Sequence, residues 1–348
     1  RGRAAGKGSP VVRAALFRNA LAALALQGLC GGAGAETVRF PAPASQREVL
    51  RVHAAADLDA MAPLIRDFQA LRPDITVEYT EYQTVDLFAQ AQEECRAGRS
   101  TPDLLLSSSS DQLVRLANDD CASVASSVAS TLPDWTHWRH EVFGFTFEPG
   151  VIVYNRNVVP PEDIRRTRAE LIDLLRAKPE SYSGRVGIYD IERSGIGYLF
   201  ALYDARATTV YGRLLEALAR SNVSTSCCTA DILSDLGSGR LGIGYNLLGS
   251  YAVAAARKGS PLAIVVPRDF AVVLSRAVLV PKHARSPEAA FAFLSYLLSE
   301  RGQRKSAEEA FFFSFDGPLP PEVDGPATLT SAALLRPIPI GVEAMFLQ

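Results

Sequence analysis

The sequence predicts an α/β protein of two lobes with a cleft between them. Three observations carry this. Strand and helix patterns alternate from residue 48 to residue 106. A second alternating set runs between residues 168 and 266. Two β-rich stretches, 143–154 and 270–280, bracket that second set. A chain that leaves one lobe, builds another and returns needs two such crossing strands, which form a hinge beside a ligand cleft.

The elements follow in order. Glu48 to His53 reads as a strand. Leu58, Met61, Leu64, Ile65, Phe68 and Leu71 recur at helical spacing, with Asp57 or Asp59 as the candidate cap. Ile75 to Tyr79 is a strand, and Thr84 is read as the cap of a helix that Gly98 stops. Asp103 to Leu106 is a short buried strand. Such alternation means a parallel sheet with crossover helices. Beyond Trp135 and Trp138, Phe143 to Tyr154 is β-rich, with Pro149-Gly150 read as a break inside it. Helices are predicted over 168–177, 195–202, 209–220, 231–236 and 250–258, and strands over 185–189, 241–245 and 262–266. Phe270 to Val280 reads as one long strand. Ser286-Pro287-Glu288 is a helix start, with a capping hydroxyl and Pro at the first helical position.

The chain has 348 residues, 48% hydrophobic and 21% charged, which suits a globular protein of two lobes, each with its own core. A formal charge of -2 gives no sign of a nucleic-acid partner. Residues 1–35 differ from the rest. Arg1, Arg3, Lys7, Arg13 and Arg18 precede an apolar run from Ala20 to Leu29 and a small-residue ending at Ala33-Gly34-Ala35. That is the pattern of a secretory signal peptide, and the run is short for a membrane-spanning helix. Residues 36–47, rich in Pro and Ala, are expected to be a disordered lead-in. Lobe 1 is expected over 48–150 and 272–312, and lobe 2 over 151–271 and 313–348. Export permits disulfides. Cys95 with Cys121 is one pairing and the adjacent Cys227 and Cys228 another, with free thiols open for both. No zinc-site spacing is present.

Four segments carry a family resemblance: residues 60–80 (AMAPLIRDFQALRPDITVEYT), 102–116 (PDLLLSSSSDQLVRL), 145–158 (FTFEPGVIVYNRNV) and 286–303 (SPEAAFAFLSYLLSERGQ). In order and spacing the chain resembles the extracellular solute-binding proteins of ABC transporters with the type II periplasmic-binding fold, in the branch of ferric-iron and phosphosugar binders. The resemblance implies a periplasmic monomer without a cofactor. It would close on a small ligand and present it to an ABC permease, or to a sensor kinase at the inner membrane. Iron-binding members carry two adjacent tyrosines after the strand at 241–245. Here Tyr245 and Tyr251 are separated by Leu247-Leu248, so two phenolates do not lie side by side. A phosphorylated or carboxylated ligand and no metal is therefore expected, with ferric iron held by Tyr245, Tyr251 or Glu148 as the alternative.

In α/β lobes, ligands bind where loops leave the carboxyl ends of strands, and helix N-termini there favour anions. Five places fit. Ala56 and Asp57 follow the first strand. Ser108, Ser109 and Ser110 form a hydroxyl-rich turn after Leu106. Arg193, Ser194 and Gly195 open a helix, where Arg193 suits a phosphate or carboxylate. Tyr245 and Asn246 end a strand read as facing the same cleft. Glu148 and Arg276 lie on the two crossing strands, where an interior Arg needs a partner, either a ligand anion or Glu148. No G-x-S-x-G, H-E-x-x-H, P-loop or C-x-x-C motif is present, so a binding protein is expected, not an enzyme.

Overall fold

A computed structural model describes residues 36–128, 133–310, 312–314, 317–329 and 335–340, the last group by backbone alone at 335–337. The expected leader, residues 1–35, lies outside the described residues. No helix among the described residues is long and apolar enough to cross a membrane.

The first lobe is built on β1 (Thr37–Phe40), β2 (Glu48–Ala55), α1 (Leu58–Leu71), β3 (Ile75–Glu81), α2 (Thr84–Arg96), β4 (Leu104–Ser107) and α3 (Ser110–Asn118). The short strands β5 (His137–Trp138) and β6 (Val142–Gly144) complete its outward run. β2 pairs in parallel with both β3 and β4. The helical spacing noted in the sequence buries Met61, Leu64, Ile65 and Phe68 of α1 against this sheet. Gly98 ends α2 with a left-handed φ of 64°, which a residue without Cβ adopts at no steric cost.

The chain then enters a second sheet at β7 (Glu148–Asn155). There follow α4 (Arg168–Ala177), α5 (Pro179–Tyr182), β8 (Val186–Tyr189), α6 (Gly195–Ala207), α7 (Tyr211–Arg220) and β9 (Ser224–Ser226). Next come α8 (Thr229–Gly237), β10 (Ile243–Leu248), α9 (Gly249–Arg257), β11 (Leu262–Val265) and β12 (Ala271–Leu274). β7 is the centre of this lobe, pairing antiparallel with β10, β11 and β12. Apolar clusters cover both faces of its sheet, one around Val151, Leu199 and Leu236, the other around Tyr154, Leu171 and Leu214. A capping box of Thr167 and Glu170 starts α4.

The return strand β13 (Ala277–Leu279) inserts between β4 and β6, giving the first sheet the order β1-β3-β2-β4-β13-β6-β5. Two further helices, α10 (Pro287–Leu298) and α11 (Glu300–Glu309), pack on that lobe. Two late strands rejoin the second sheet: β14 (Val323–Asp324) beside β11, and β15 (Leu335–Pro337) beside β12.

Several expectations are corrected. The lead-in is not wholly disordered: β1 lies antiparallel to β3, and Gln69 Nε2 bonds the carbonyls of Phe40 and Pro41. Neither long crossing strand is continuous. Each divides where it changes sheets, at Phe145–Phe147 and at Ser275–Arg276, because the backbone there exchanges one set of ladder partners for another. Pro149 and Gly150 lie inside β7 and make no break. The crossovers fall at these points and not at 150 and 272. Thr84 is the first helical residue of α2 and not its cap, and Ser286 makes no side-chain cap bond. Asp103 instead accepts from the backbone N–H of Arg285 and Ser286.

Asp67 on α1 accepts both arms of Arg301 at 2.8 and 2.7 Å and the hydroxyl of Tyr296 at 2.9 Å, tying α1 to α10 and α11. The Arg301 guanidinium holds its carboxyl below the usual range. Stability from a depressed carboxyl is full above the unfolded-state pKa, about 3.9, and fades as pH falls through the native value. The urea midpoint of the wild type is therefore expected to fall more steeply than that of Asp67→Asn below about pH 4. Parallel acid limbs would show that the bridge contributes nothing.

Candidate functional site

The two crossovers meet in a buried knot. The backbone N–H of Arg276 bonds Thr146 Oγ1 at 2.9 Å, and Phe145 N–H bonds the Arg276 carbonyl at 3.0 Å. Arg276 Nε donates to Glu148 Oε1 at 2.8 Å, with the two side chains only 1% and 0% exposed. Glu148 Oε2 accepts the hydroxyl of Ser250, in the first turn of α9, at 2.6 Å. The guanidinium lies over the rings of Tyr251, at 4.9 Å, and Phe312, at 5.3 Å. Burial works against its charge, but Tyr251 and Glu148 hold it firmly protonated. Arg276 Nη2 is buried with no hydrogen-bond partner among the described residues.

Around this knot the turns of the lobes face one another. The Asp57 N–H, at the start of α1, donates to the Tyr251 hydroxyl at 3.1 Å. Burial lifts the Asp57 carboxyl above its ordinary range, while Arg276 pulls it down in part. Burial also pushes the Tyr251 phenol up to about 12, so it stays neutral at ordinary pH. On the other side, Gly195 N–H donates to Thr84 Oγ1 of α2 at 3.0 Å. Ser194 caps α6 by accepting from Gly197 N–H. A Cβ on Gly195 would stand 1.9 Å from Ser109 Oγ and 3.0 Å from Ser109 Cβ, so any larger residue here would force Ser109 to move. Ser109 Oγ is itself buried without a partner among the described residues. An exposed bridge from Lys258 to Asp59, 2.9 Å, also spans the lobes. Beside the knot is a cavity of about 580 Å³, walled by Asp57, Ser250, Tyr251, Leu233, Ala254 and Ala310.

Nine of the predicted site residues fall at or beside this junction: Ala56, Asp57, Ser108, Ser109, Ser110, Glu148, Ser194, Gly195 and Arg276. Ala56 offers its carbonyl to the buried Tyr79 hydroxyl at 2.6 Å. Three residues stand elsewhere. Arg193 is exposed on the turn before α6. Tyr245 points into the interior of its own lobe, where its hydroxyl accepts from Arg168 Nε at 2.7 Å and donates to Asp204 at 2.5 Å. The strand runs on to Leu248, and a register shift between Gly244 and Leu247 sets the side-chain directions. Asn246 sits at a left-handed φ of 57° and gives its amide to the same Asp204 at 2.6 Å, leaving Oδ1 buried and unpartnered.

The sequence reading missed Thr84 and Ser250 as members of this junction, and considered Tyr251 only as a ligand in the iron alternative. Their signal was positional. Each opens a helix that follows a strand of one of the two sheets, the same criterion that singled out Ser108 and Ser194.

Replacing Gly195 by Ala is expected to hold the lobes apart, because the new methyl meets Ser109 and Thr84. Small-angle X-ray scattering should then give a larger radius of gyration than the wild type. An unchanged curve would mean that the turn yields locally and that Gly195 does not limit closure.

The comparisons agree with this architecture. A family model described as bacterial extracellular solute-binding protein matches residues 63–337. The substrate-binding protein of an ABC transporter from Agrobacterium tumefaciens is 34% identical, with TM-score 0.80, over 89% of this chain and 93% of that one. Iron-bound HitA from Pseudomonas aeruginosa has TM-score 0.68 at 18% identity, over 86% of this chain and 98% of that one. The periplasmic binding protein AfuA from Actinobacillus pleuropneumoniae, with fructose-6-phosphate bound, has TM-score 0.65 at 15% identity, over 83% and 91%. No match is found among curated proteins. Two sheets, a double crossover and an enclosed junction between them are the two-lobed type II arrangement of these binding and transport proteins. The chain belongs to the family of bacterial extracellular solute-binding proteins.

Proposed function

We propose that the protein is a periplasmic receptor that closes on a small anionic ligand, phosphorylated or carboxylated, and delivers it to an ABC permease. The observation that carries the anionic class is Arg276 Nη2, a cationic donor buried where the lobes meet and without a hydrogen-bond partner among the described residues. A buried donor of this kind is costly unless something accepts from it. Glu148 occupies Nε and fixes the fork, and the free arm is left for a ligand oxygen. Ser109 Oγ, in the first lobe and also without a partner among the described residues, supports the same reading. The raised Asp57 carboxyl takes up a proton more readily than usual, which lessens its repulsion of a second anion.

Closure follows as a shift of populations. The turns at Asp57, Ser109, Ser194 and Tyr251 come together only when the lobes are shut, so a ligand touching both sides stabilises that state by its differential affinity. The iron alternative needs phenolate oxygens. Tyr245 gives its hydroxyl to Asp204, and burial keeps Tyr251 protonated at neutral pH.

Calorimetric titration with sugar phosphates and with di- and tricarboxylates tests this. A binder in one of these classes should lose about 1.5–3 kcal/mol in Arg276→Lys, which keeps the charge but not the fork. Arg193→Ala should bind as the wild type does, since that side chain is exposed. Equal affinity in Arg276→Lys would remove Arg276 from the ligand site. A visible tyrosinate band on adding ferric citrate would replace the anion with iron.

A further inference from the structure

A second cluster of chemistry lies at the lobe boundary, at the start of the helix that also lines the cavity beside the Arg276 knot. Cys227 and Cys228, adjacent in sequence, are joined by a disulfide in the turn between β9 and α8. Their sulfurs and a carboxylate oxygen of Asp231, one turn into α8, all lie within 4.8 Å of one another. Ser226 Oγ donates to Asp231 Oδ2 at 3.0 Å, orienting that carboxylate. Both cysteines are half-buried and Asp231 is exposed, so reagents reach them. From the other lobe, Gln83 brings its Oε1 to 3.0 Å from Cys228 Sγ. A half-cystine sulfur carries no proton, so this oxygen faces sulfur without a hydrogen bond and keeps its lone pairs.

We propose that reduction of the Cys227–Cys228 pair opens a site for a thiophilic divalent cation such as zinc or cadmium, with Asp231 as third ligand and Gln83 closing it from the opposite lobe. Two sulfurs with one carboxylate form a donor set suited to these ions. The chemistry balances with a small dithiol as reductant. The dithiol gives two electrons and two protons to the S–S bond, leaving two thiols, and becomes a disulfide itself. The cation then displaces the two thiol protons as two metal–sulfur bonds form. Because Gln83 belongs to one lobe and the cysteines to the other, the bound ion clasps the lobes together. The other disulfide, Cys95–Cys121, joins α2 to the loop after α3 within the first lobe and offers no such bridge.

The test uses the full chain, reduced with dithiothreitol, freed of reductant without air and titrated with cadmium. Reduced wild type should show a near-ultraviolet thiolate-to-cadmium band that saturates at a single ion per chain, and oxidised protein none. The band should vanish in the double variant Cys227→Ser/Cys228→Ser. Affinity should fall on the order of tenfold or more in Asp231→Asn, and also in Gln83→Ala, where only the cross-lobe ligand is lost. A band that persists in the double serine variant would place the ion on Cys30, Cys95 or Cys121 and overturn the proposal. So would reduced thiols at 227 and 228 that bind no cadmium, or a pair that resists reduction until the chain unfolds. Unchanged affinity in Gln83→Ala would overturn the clasp between the lobes.

Discussion

The ion pair between Arg276 and Glu148 is the constraint on which the rest of the molecule depends. It joins the two places where the chain passes between lobes, at the residues where each crossing strand gives up one sheet for the other. In water such a pair is weak. Here both members are buried, so the attraction is strong but so is the cost of removing each charge from solvent. What makes the arrangement tolerable is satisfaction of the carboxylate from two sides, by Arg276 and by Ser250. Removing one partner of such a pair typically costs about 3–5 kcal/mol, because the other is left charged and dry. Among the described residues the second arm of the guanidinium, Nη2, has no hydrogen-bond partner.

A second buried arginine shows the contrast. Arg168 is fully enclosed in the second lobe, between Asp204, Asp269, Tyr245 and the carbonyl of Phe270. Its ring of acceptors pins α4, α6 and β10 to one another and anchors the turn at Asn246 through the shared Asp204. The two arginines are alike in chemistry and burial. One lies within a lobe against two carboxylates, Asp204 and Asp269, while the other lies where the chain crosses between lobes, against Glu148.

The legible part of the chain was its order of elements. Met61, Leu64, Ile65 and Phe68 marked α1 by spacing alone, and the burial they show is what a single apolar stripe against a sheet demands. The turns at Asp57, Ser109 and Ser194 were legible for a related reason: strand ends that lead into helices converge on one edge of each sheet. Arg193 and Tyr245 were misplaced because the same rule places backbone and not side chains. Arg193 follows the right strand and still turns to solvent, and Tyr245 lies on the right strand but faces the lobe's own core.

By itself the sequence determined the alternation of strands and helices, the two bracketing β stretches and the position of each strand-to-helix turn, since these follow from local periodicity, capping and glycine chemistry. Only the tertiary structure decided which turns meet. Thr146 and Glu148 find Arg276 across about 130 residues of chain, and Thr84 finds Gly195 across 111. The physical reason is that local pattern dictates which face of an element is apolar, whereas cross-lobe contact depends on the summed twist and stacking of two whole sheets. No short window of sequence encodes that sum.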